Sequence, residues 1–368
     1  MGRAISLRTS AILAIVIAAA AFASSLSTAR SQDRQIGDTK VWAQVPEPGN
    51  PEGIVVRKGT VYVGTHVQAS GNAGDGPSRI FKFDLTGKEL GSVKVRGQIP
   101  DETHGITQMA FDRDGRLYVL DRNPPRIVRF NRSLKKQRTY ASFPDFPTCQ
   151  SAEENEPCSP TENDARPFPD YIAFDETGNA YVTDLESALI YRVRPGGGKA
   201  TIWFADPRLD SVFGPNGIEL DRTRTKFYFA MTGSVEPGDP GNGIIYTLPL
   251  TKRPKADDLK EFFVYPEPAS GPDGIAFGKS GKLYVVLAGA NQISILNPDG
   301  MEEARFPSAD ANQQQEVPYD TPASAIFDGK GSLLVTNQSY FADDASHMVV
   351  FEVWVDDVAL PLVRPRIP

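Results

Sequence analysis

The chain has 368 residues, of which 40% are hydrophobic, and its formal net charge is −7. An acidic chain without a run of Lys and Arg lacks the electrostatic basis for gripping phosphates, which argues against a nucleic-acid-binding function. Its 32 glycines and 30 prolines interrupt runs of Val, Ile, Tyr and Phe. This pattern predicts many short strands and turns rather than long helices.

The N-terminus has the pattern of a secretory signal peptide. Arg3 and Arg8 precede an apolar run at residues 11–23, and small residues follow it. This run of 13 residues is shorter than the roughly 20 that a membrane-spanning helix needs. We therefore predict that residues 1–29 are removed on export to the periplasm or the medium, which takes both arginines away and changes the net charge from −7 to −9. An uncleaved anchor is the alternative. Residues 30–368 are predicted to form one domain.

One unit recurs six times along the rest of the chain. It consists of an apolar strand, a turn that usually contains glycine, a second strand centred on Tyr-Val in most copies, and a third strand of alternating apolar residues. The copies span residues 53–83, 109–130, 172–193, 218–246, 275–296 and 325–353. Gly53, Gly105, Tyr171, Gly217, Gly274 and Ser324, taken as equivalent positions, lie 46 to 66 residues apart. Periods of about 40–50 residues with insertions are typical of propeller blades.

These repeats predict an all-β fold, a six-bladed β-propeller. We expect residues 40–44 to pair with the C-terminal strand and close the circle, because closure removes the exposed sheet edges. A solenoid or a pair of β-sandwiches is the alternative. The two longest insertions, residues 131–169 and 234–242, are polar and rich in Pro and Gly, and we predict that both are loops.

The chain has two cysteines, Cys149 and Cys158, which flank a short polar segment. In an exported protein such a pair predicts a disulfide that braces the first insertion locally. A metal-binding or redox pair is the weaker alternative, since the spacing is not that of a Cys-x-x-Cys motif and no histidine lies nearby.

Four of the repeats begin with a proline, an oxygen-bearing side chain, a glycine or tyrosine, and then isoleucine. The four stretches are Pro51-Glu52-Gly53-Ile54, Pro169-Asp170-Tyr171-Ile172, Pro215-Asn216-Gly217-Ile218 and Pro272-Asp273-Gly274-Ile275. In a propeller the first strand of each blade lines the central channel, so these side chains should converge on one face. Three carboxylates and one amide predict a site for a hard cation, Ca²⁺ first, with Mg²⁺ or Mn²⁺ as alternatives. Each stretch taken alone is also a common turn at the start of a strand.

Two histidines are expected near the same face. His104 precedes the first strand of the second copy, and His66 follows the second strand of the first copy. Either imidazole is suited to accept a proton from water, and an exposed or structural role is the alternative for each. Asp121 and Asp184 end second strands on that face, where they are candidates for substrate contacts or for turn and cap roles. His347 is predicted to be structural.

With these residues in hand, the chain resembles the calcium-dependent propeller hydrolases: the regucalcin/gluconolactonase group, diisopropylfluorophosphatase and paraoxonase. The Pro-Glu-Gly stretch at Glu52 and the Pro-Asn-Gly-Ile and Pro-Asp-Gly-Ile stretches at Asn216 and Asp273 match that group's calcium ligands. Asp170 stands where those proteins usually have asparagine. His104-Gly105-Ile106 is similar to the paraoxonase histidine motif, with a one-residue difference in the spacing to Phe111. The Tyr-Val repeats also resemble NHL-type propellers, which are often binding scaffolds.

Together, the residues and the resemblance imply an exported, metal-dependent hydrolase of lactones or related esters. Glu52, Asp170, Asn216 and Asp273 would hold the metal. His104, Asp170 and Asp273 are the catalytic candidates, and His66, Asp121 and Asp184 are the substrate-binding candidates. We expect a monomer that acts on a small molecule, with no membrane contact after signal cleavage. The alternatives are a non-catalytic, calcium-braced propeller that binds a ligand or protein, and a synthase or isomerase on the same scaffold.

Overall fold

The structure is a computed structural model that describes residues 34–67, 76–162, 164–234 and 241–368. The predicted signal peptide lies outside these residues. The described chain is nearly all β, as the repeats predict. Its strands in chain order are β1 (Thr39–Gln44), β2 (Pro51–Arg57), β3 (Thr60–Val67), β4 (Arg79–Asp84), β5 (Glu89–Lys94), β6 (His104–Phe111), β7 (Leu117–Asp121), β8 (Arg126–Phe130), β9 (Gln137–Ser142), β10 (Pro169–Phe174), β11 (Ala180–Asp184), β12 (Leu189–Val193), β13 (Gly198–Lys199), β14 (Thr201–Ala205), β15 (Pro215–Leu220), β16 (Lys226–Met231), β17 (Asn242–Pro249), β18 (Lys260–Pro268), β19 (Pro272–Phe277), β20 (Leu283–Leu287), β21 (Gln292–Leu296), β22 (Glu302–Phe306), β23 (Pro322–Phe327), β24 (Ser332–Asn337) and β25 (Val349–Trp354).

Helical segments are short. Within the described residues they are the α-helix Ala309–Gln313 and the 3₁₀ segments Pro207–Leu209, Ala256–Asp258 and Ala345–His347. In the same part of the chain, no helix has the length and apolar character that crossing a lipid bilayer requires.

The strands form several antiparallel sheets of four, consistent with a propeller. Four of these sheets are separate, with the orders β10-β11-β12-β14, β15-β16-β17-β18, β19-β20-β21-β22 and β1-β25-β24-β23. The meanders β2 to β5 and β6 to β9 are joined by a short pairing of His66 with Gly105 and Val67 with His104, and β13 adds to β9. The expected pairing of residues 40–44 with the C-terminal strand is present, since β1 runs antiparallel to β25.

The tyrosine of the Tyr-Val signature packs between neighbouring sheets. Tyr118 on β7 meets Phe174 on β10 edge to face at 5.2 Å between ring centroids, and Tyr284 on β20 meets Phe327 on β23 at 5.3 Å. Tyr62–Phe111 and Tyr228–Phe277 repeat the same contact. Such pairs are worth about 0.5–1.5 kcal/mol beyond the area that they bury. The repeated sequence signature therefore reports a repeated contact between one sheet and the next.

The first strands of consecutive sheets lie against one another, and β23 also lies against β2. Each of these strands breaks register with its second strand at the same place, where one extra residue forms a bulge. The bulges fall at Glu52-Gly53, Thr107-Gln108, Asp170-Tyr171, Asn216-Gly217, Asp273-Gly274 and Ala323-Ser324. All four predicted cation ligands are thus the first residue of a bulge.

The register corrects one alignment made from the sequence. The sequence pattern aligns Gly105 with Gly53, but the bulge of β6 places Gln108 at that position. The physical reason is that β6 begins early: His104 and Gly105 pair with β3 before the strand reaches its own partner, β7. His104 therefore lies outside the repeated ligand position, which Thr107 occupies in this copy.

The first of the two insertions contains a strand, contrary to the expectation of a loop. Residues 131–169 contain β9, which pairs with β8 and completes a four-stranded meander, so this part of the prediction was wrong. This strand combines exposed residues such as Arg138 with buried ones such as Tyr140, as expected of an outer strand that is partly exposed to solvent. The disulfide between Cys149 and Cys158 is confirmed. In the second insertion, residues 235–240 lie outside the described part, and β17 begins at Asn242.

Candidate functional site

The bulges bring the predicted cation ligands to one end of the first strands. Glu52, Asp170 and Asn216 are each less than a tenth exposed, although all three follow a proline at the start of a strand. Asp273 occupies the same position on β19 and keeps partial access to solvent. A bulge turns an extra side chain out of the regular pleat, which is how three acids and an amide come to face inward at equivalent positions.

The three carboxylates interact strongly with one another. Burial raises the pKa of Glu52 well above its ordinary value, and the charges of Asp170 and Asp273 raise it further. Burial also raises the pKa of Asp273, with Asp170 adding to the shift. Burial raises the pKa of Asp170 as well, while Arg122 lowers it. Buried acids that disfavour one another's charge are stabilised in the ionised form by a nearby cation.

Glu52 is held by two side chains from other strands. His66 Nδ1 lies 3.1 Å from Glu52 Oε2, and Gln338 Nε2 donates to the same oxygen at 3.2 Å. Burial, then the charges of Arg122 and His104, lower the pKa of His66 well below its ordinary value, so its imidazole is neutral near pH 7. The tautomer that donates from Nδ1 leaves a lone pair on Nε2, and within the described residues this atom has no hydrogen-bond partner.

Asn216 presents an oxygen that nothing in the described chain satisfies. Its Nδ2 donates to Thr232 Oγ1 at 3.2 Å, and Thr232 Oγ1 donates onward to the carbonyl of Pro272 at 2.9 Å. Asn216 Oδ1 is buried and has no partner among the described residues. Leaving a buried acceptor unpaired costs about 1–3 kcal/mol, so this oxygen is well suited to serve as a ligand to a cation.

The donors fit a hard cation by their chemistry. Three carboxylates and an amide oxygen offer only the oxygen ligands that Ca²⁺ prefers, and Asn216 Oδ1 is already unpaired. In the part of the chain that the structure describes, no three His, Cys, Asp or Glu side chains are grouped closely enough to form a metal site by themselves.

Arg122 is a neighbour of these acids that sequence reasoning missed. Its charge lowers the pKa of Glu52 and Asp170, and its guanidinium carbon lies 3.8 Å from the ring centroid of Phe168. One buried nitrogen of its guanidinium, Nη1, has no hydrogen-bond partner among the described residues. A planar cation beside a cation site is suited to binding a carboxylate or a developing anion.

His104 occupies a different environment from that expected of a general base. It is fully buried, and its Nδ1 and Nε2 lie 2.7 Å and 3.0 Å from the backbone carbonyl oxygens of Glu102 and Gly76. Carbonyl oxygens accept and do not donate, so neither ring nitrogen presents a free lone pair in this arrangement. His104 also lines a cavity of about 740 Å³ between the first two meanders, beside Lys94 and Arg96.

Asp121 and Asp184 are buried and engaged by protein groups. Asp121 accepts hydrogen bonds from Gln98 Nε2 at 2.8 Å and Arg126 Nε at 2.9 Å, and burial raises its pKa to about 6. Asp184 accepts from the backbone N–H groups of Phe168 and Ser187 at 2.9 and 2.8 Å, and burial raises its pKa to about 7. Their substrate contacts remain a prediction.

His347, for which a structural role was predicted, lies 2.9 Å from Asp320 Oδ2 through Nδ1.

A second layer of side chains lies at the next bulge position. Tyr171 donates from its hydroxyl to Ser324 Oγ at 2.6 Å, and Gln108 Nε2 donates to the same oxygen at 3.4 Å. A Cβ on Gly274 would lie 2.2 Å from the Tyr171 hydroxyl oxygen. The glycines after three of the predicted ligands thus leave room for the one tyrosine and for close approach of neighbouring strands. In the sequence, this layer is marked by the position directly after each predicted ligand, where Tyr171 stands in one copy and glycine in the other three.

Gly105 gives a test of how tightly the His66 side chain is seated. A Cβ at this position would lie 1.1 Å from His66 Cδ2, and the ring is fully buried. We expect Gly105→Ala to displace His66, break its contact with Glu52 and lower the free energy of unfolding by about 1–3 kcal/mol. Urea denaturation measures this, with Gly233→Ala as control, since a Cβ there meets its nearest atom at 3.6 Å. Equal stability of the two variants would contradict the prediction.

Comparison with known proteins points to one fold. No protein-family model matches the sequence, and no curated protein matches it. Among solved structures, regucalcin from Agrobacterium tumefaciens, a calcium-binding protein, is 16% identical with a TM-score of 0.62, and the match covers 89% of this chain and 98% of regucalcin. A gluconolactonase from Xanthomonas campestris is 13% identical with a TM-score of 0.54, covering 87% and 90%. Catalytically inactive virginiamycin B lyase from Staphylococcus aureus, solved with quinupristin, is 16% identical with a TM-score of 0.55, covering 86% and 99%. The chain therefore has the β-propeller fold of the regucalcin- and gluconolactonase-like proteins, as its sequence motifs predicted.

Proposed function

We propose that this protein is an exported, Ca²⁺-dependent hydrolase of lactones or related esters. The observation that carries the proposal is the convergence of Glu52, Asp170 and Asp273 with the unpaired oxygen of Asn216 at one end of the first strands. The fold that the chain shares with regucalcin and a gluconolactonase is consistent with it.

The proposed scaffold is a closed propeller of six blades. The contacts between successive first strands, with β23 against β2, support a circle, and the pairing of β1 with β25 would join its ends. Export is supported by the signal-like N-terminus and by the disulfide, which persists in oxidising compartments.

In the proposed site Glu52, Asp170, Asn216 and Asp273 hold the cation. Bound Ca²⁺ would polarise the carbonyl oxygen of the ester and stabilise the negative charge that develops on it. Asp170 and Asp273 are the proposed acceptors of the proton that the attacking water releases, because their carboxylates would lie beside a water bound at the cation. His66 fixes the orientation of Glu52. Arg122 would stabilise the carboxylate product electrostatically.

Two alternative functions belong to other classes of protein. A non-catalytic propeller braced by calcium is favoured by the deep burial of Glu52 and Asp170, which limits access to them. A lyase is favoured by the fold shared with virginiamycin B lyase.

Chelation tests the proposal on the purified full chain. We expect elemental analysis to find about one Ca²⁺ per protein. A lactone and aryl-ester panel should show hydrolysis that falls at least about 100-fold in a chelator and returns with Ca²⁺ but not with buffer alone. A braced, non-catalytic propeller would instead lose thermal stability on chelation and leave the whole panel unchanged. Full hydrolysis in the presence of chelator would overturn the proposal.

A further inference from the structure

Exposed aromatic rings lie beside the candidate site. The side chains of Phe213 and Phe341 are 41% and 74% exposed, and their rings meet edge to face with centroids 6.4 Å apart. Val212, next to Phe213, is 67% exposed. Large apolar side chains that gather on a surface expose area that water disfavours, and such patches commonly mark binding sites. We refer to Val212, Phe213 and Phe341 as the aromatic cover.

Both phenylalanines are joined to the candidate site by short stretches of chain. Phe213 comes three residues before Asn216, whose oxygen is unpaired. Phe341 comes three residues after Gln338, which donates to Glu52. The aromatic cover is therefore placed by the same chain segments that place the predicted ligands.

The aromatic cover is also connected to His66 by the ring of Tyr340. Tyr340 lies 5.2 Å from Phe341 and 6.3 Å from the His66 imidazole, measured between ring centroids. Successive ring contacts thus connect the exposed surface to His66, the buried histidine that contacts Glu52.

The two phenylalanines come from sheets that are not neighbours. Phe213 leads into β15 and Phe341 follows β24, the partner of β23, while β19 lies against both β15 and β23. Their ring contact joins the segment before β15 to the segment after β24. Both segments lie at the end of the sheets where the first strands begin, which is also the end where Asp273 starts β19. The aromatic cover therefore lies at the same end of the sheets as the predicted ligands.

We propose that the aromatic cover binds an apolar part of the substrate, so that the preferred lactones or esters carry an alkyl or aryl group rather than a polyol. This inference rests on the proposed function, because it assigns the substrate class of that site. Apolar rings gain free energy by covering a hydrocarbon chain, at about 0.8 kcal/mol for each buried CH₂. A polyol placed there would lose water from its hydroxyls and meet no donor or acceptor on the three side chains of the cover.

The test measures binding, so that it does not depend on turnover. Six-membered lactams resist hydrolysis, and calorimetry in Ca²⁺ buffer compares one without a substituent, one with a six-carbon alkyl chain and one with a polyol chain. We expect the alkyl lactam to bind at least about tenfold more tightly than the other two. Phe341→Ala and Phe213→Ala should each remove most of that advantage and leave the affinity for the unsubstituted lactam unchanged.

Met301→Ala is the matched control. Met301 is 65% exposed and lies in the turn before β22, at the opposite end of its sheet from Asp273, so its removal should not change any affinity. Thermal unfolding checks that each variant is folded.

The inference is overturned if the alkyl lactam does not bind, if the polyol lactam binds as tightly, or if Phe341→Ala behaves as Met301→Ala does. It is also overturned if Phe341→Ala changes only self-association in sedimentation, which would make the cover a protein-docking surface. Failure of the proposed function is visible separately, as absence of lactone or ester turnover in the chelation experiment.

Discussion

Replacing Asp273 or Asn216 with alanine is expected to abolish bound Ca²⁺ and to lower lactone or ester turnover at least about 100-fold. Asp273 supplies one of three interacting carboxylates, and Asn216 supplies the oxygen that has no partner in the described chain. Either substitution removes one of four proposed oxygen ligands. Since Ca²⁺ needs six to eight oxygens, a site reduced to three protein ligands should bind it weakly.

The expected result has a second readout that does not involve activity. Removing Asp273 also removes a charge that raises the pKa of Glu52. Chelator should therefore lower the melting temperature of the wild type more than that of Asp273→Ala. Asp299→Ala is the control, because Asp299 is an exposed turn residue between β21 and β22, at the other end of the sheet that Asp273 begins. Wild-type metal content in Asp273→Ala and Asn216→Ala would show that these residues are not ligands.

Replacing Glu219 with glutamine is expected to stabilise the protein at alkaline pH by about 3–5 kcal/mol and to change its stability little at pH 5. Glu219 lies in β15 and lines a cavity of about 130 Å³, together with apolar residues of the first strands and of the C-terminal segment. Its Oε2 accepts a hydrogen bond from the backbone N–H of Phe277 at 3.2 Å. Burial raises its pKa from 4.5 to about 8.

The pH dependence of this effect follows from proton binding at Glu219. The folded protein holds the Glu219 proton more tightly than the unfolded chain does, so the contribution is fully present below pH 4.5 and is lost as pH rises through about 8. Glutamine keeps an acceptor for the Phe277 N–H and has no charge to bury. Urea denaturation at pH 5 and pH 9 measures the difference, with exposed Glu261 on β18 of the same sheet as the control in Glu261→Gln. If Glu219→Gln changed the free energy of unfolding equally at both pH values, the raised pKa of Glu219 would be contradicted.

The strands and the repeat could be predicted from residue patterns. Tyr-Val dipeptides flanked by glycine turns marked the second strands, because a tyrosine there fills the space between one sheet and the phenylalanine of the next. The short segment between Cys149 and Cys158 predicted the disulfide for a local reason, since two cysteines so close in sequence need little rearrangement to pair.

The candidate site was predictable in part. A proline before an acid or amide marked the bulge residues in four copies. The second copy was aligned incorrectly, with Gly105 opposite Gly53, because His104-Gly105-Ile106 is similar in sequence to Glu52-Gly53-Ile54. Pairing of His104 and Gly105 with β3 decided otherwise. Arg122 and Gln338 had no motif of their own, because their roles depend only on which carboxylates lie beside them.

The sequence by itself determined the all-β character, the repeated strands and the oxygen-bearing residues at strand starts, because these depend on side-chain alternation and turn chemistry within a few residues. Tertiary structure alone decided which bulge each side chain occupies, which histidine keeps a free nitrogen and which rings cover the site. Those outcomes depend on contacts between residues hundreds of positions apart, such as Glu52 with Gln338, and no local pattern records them.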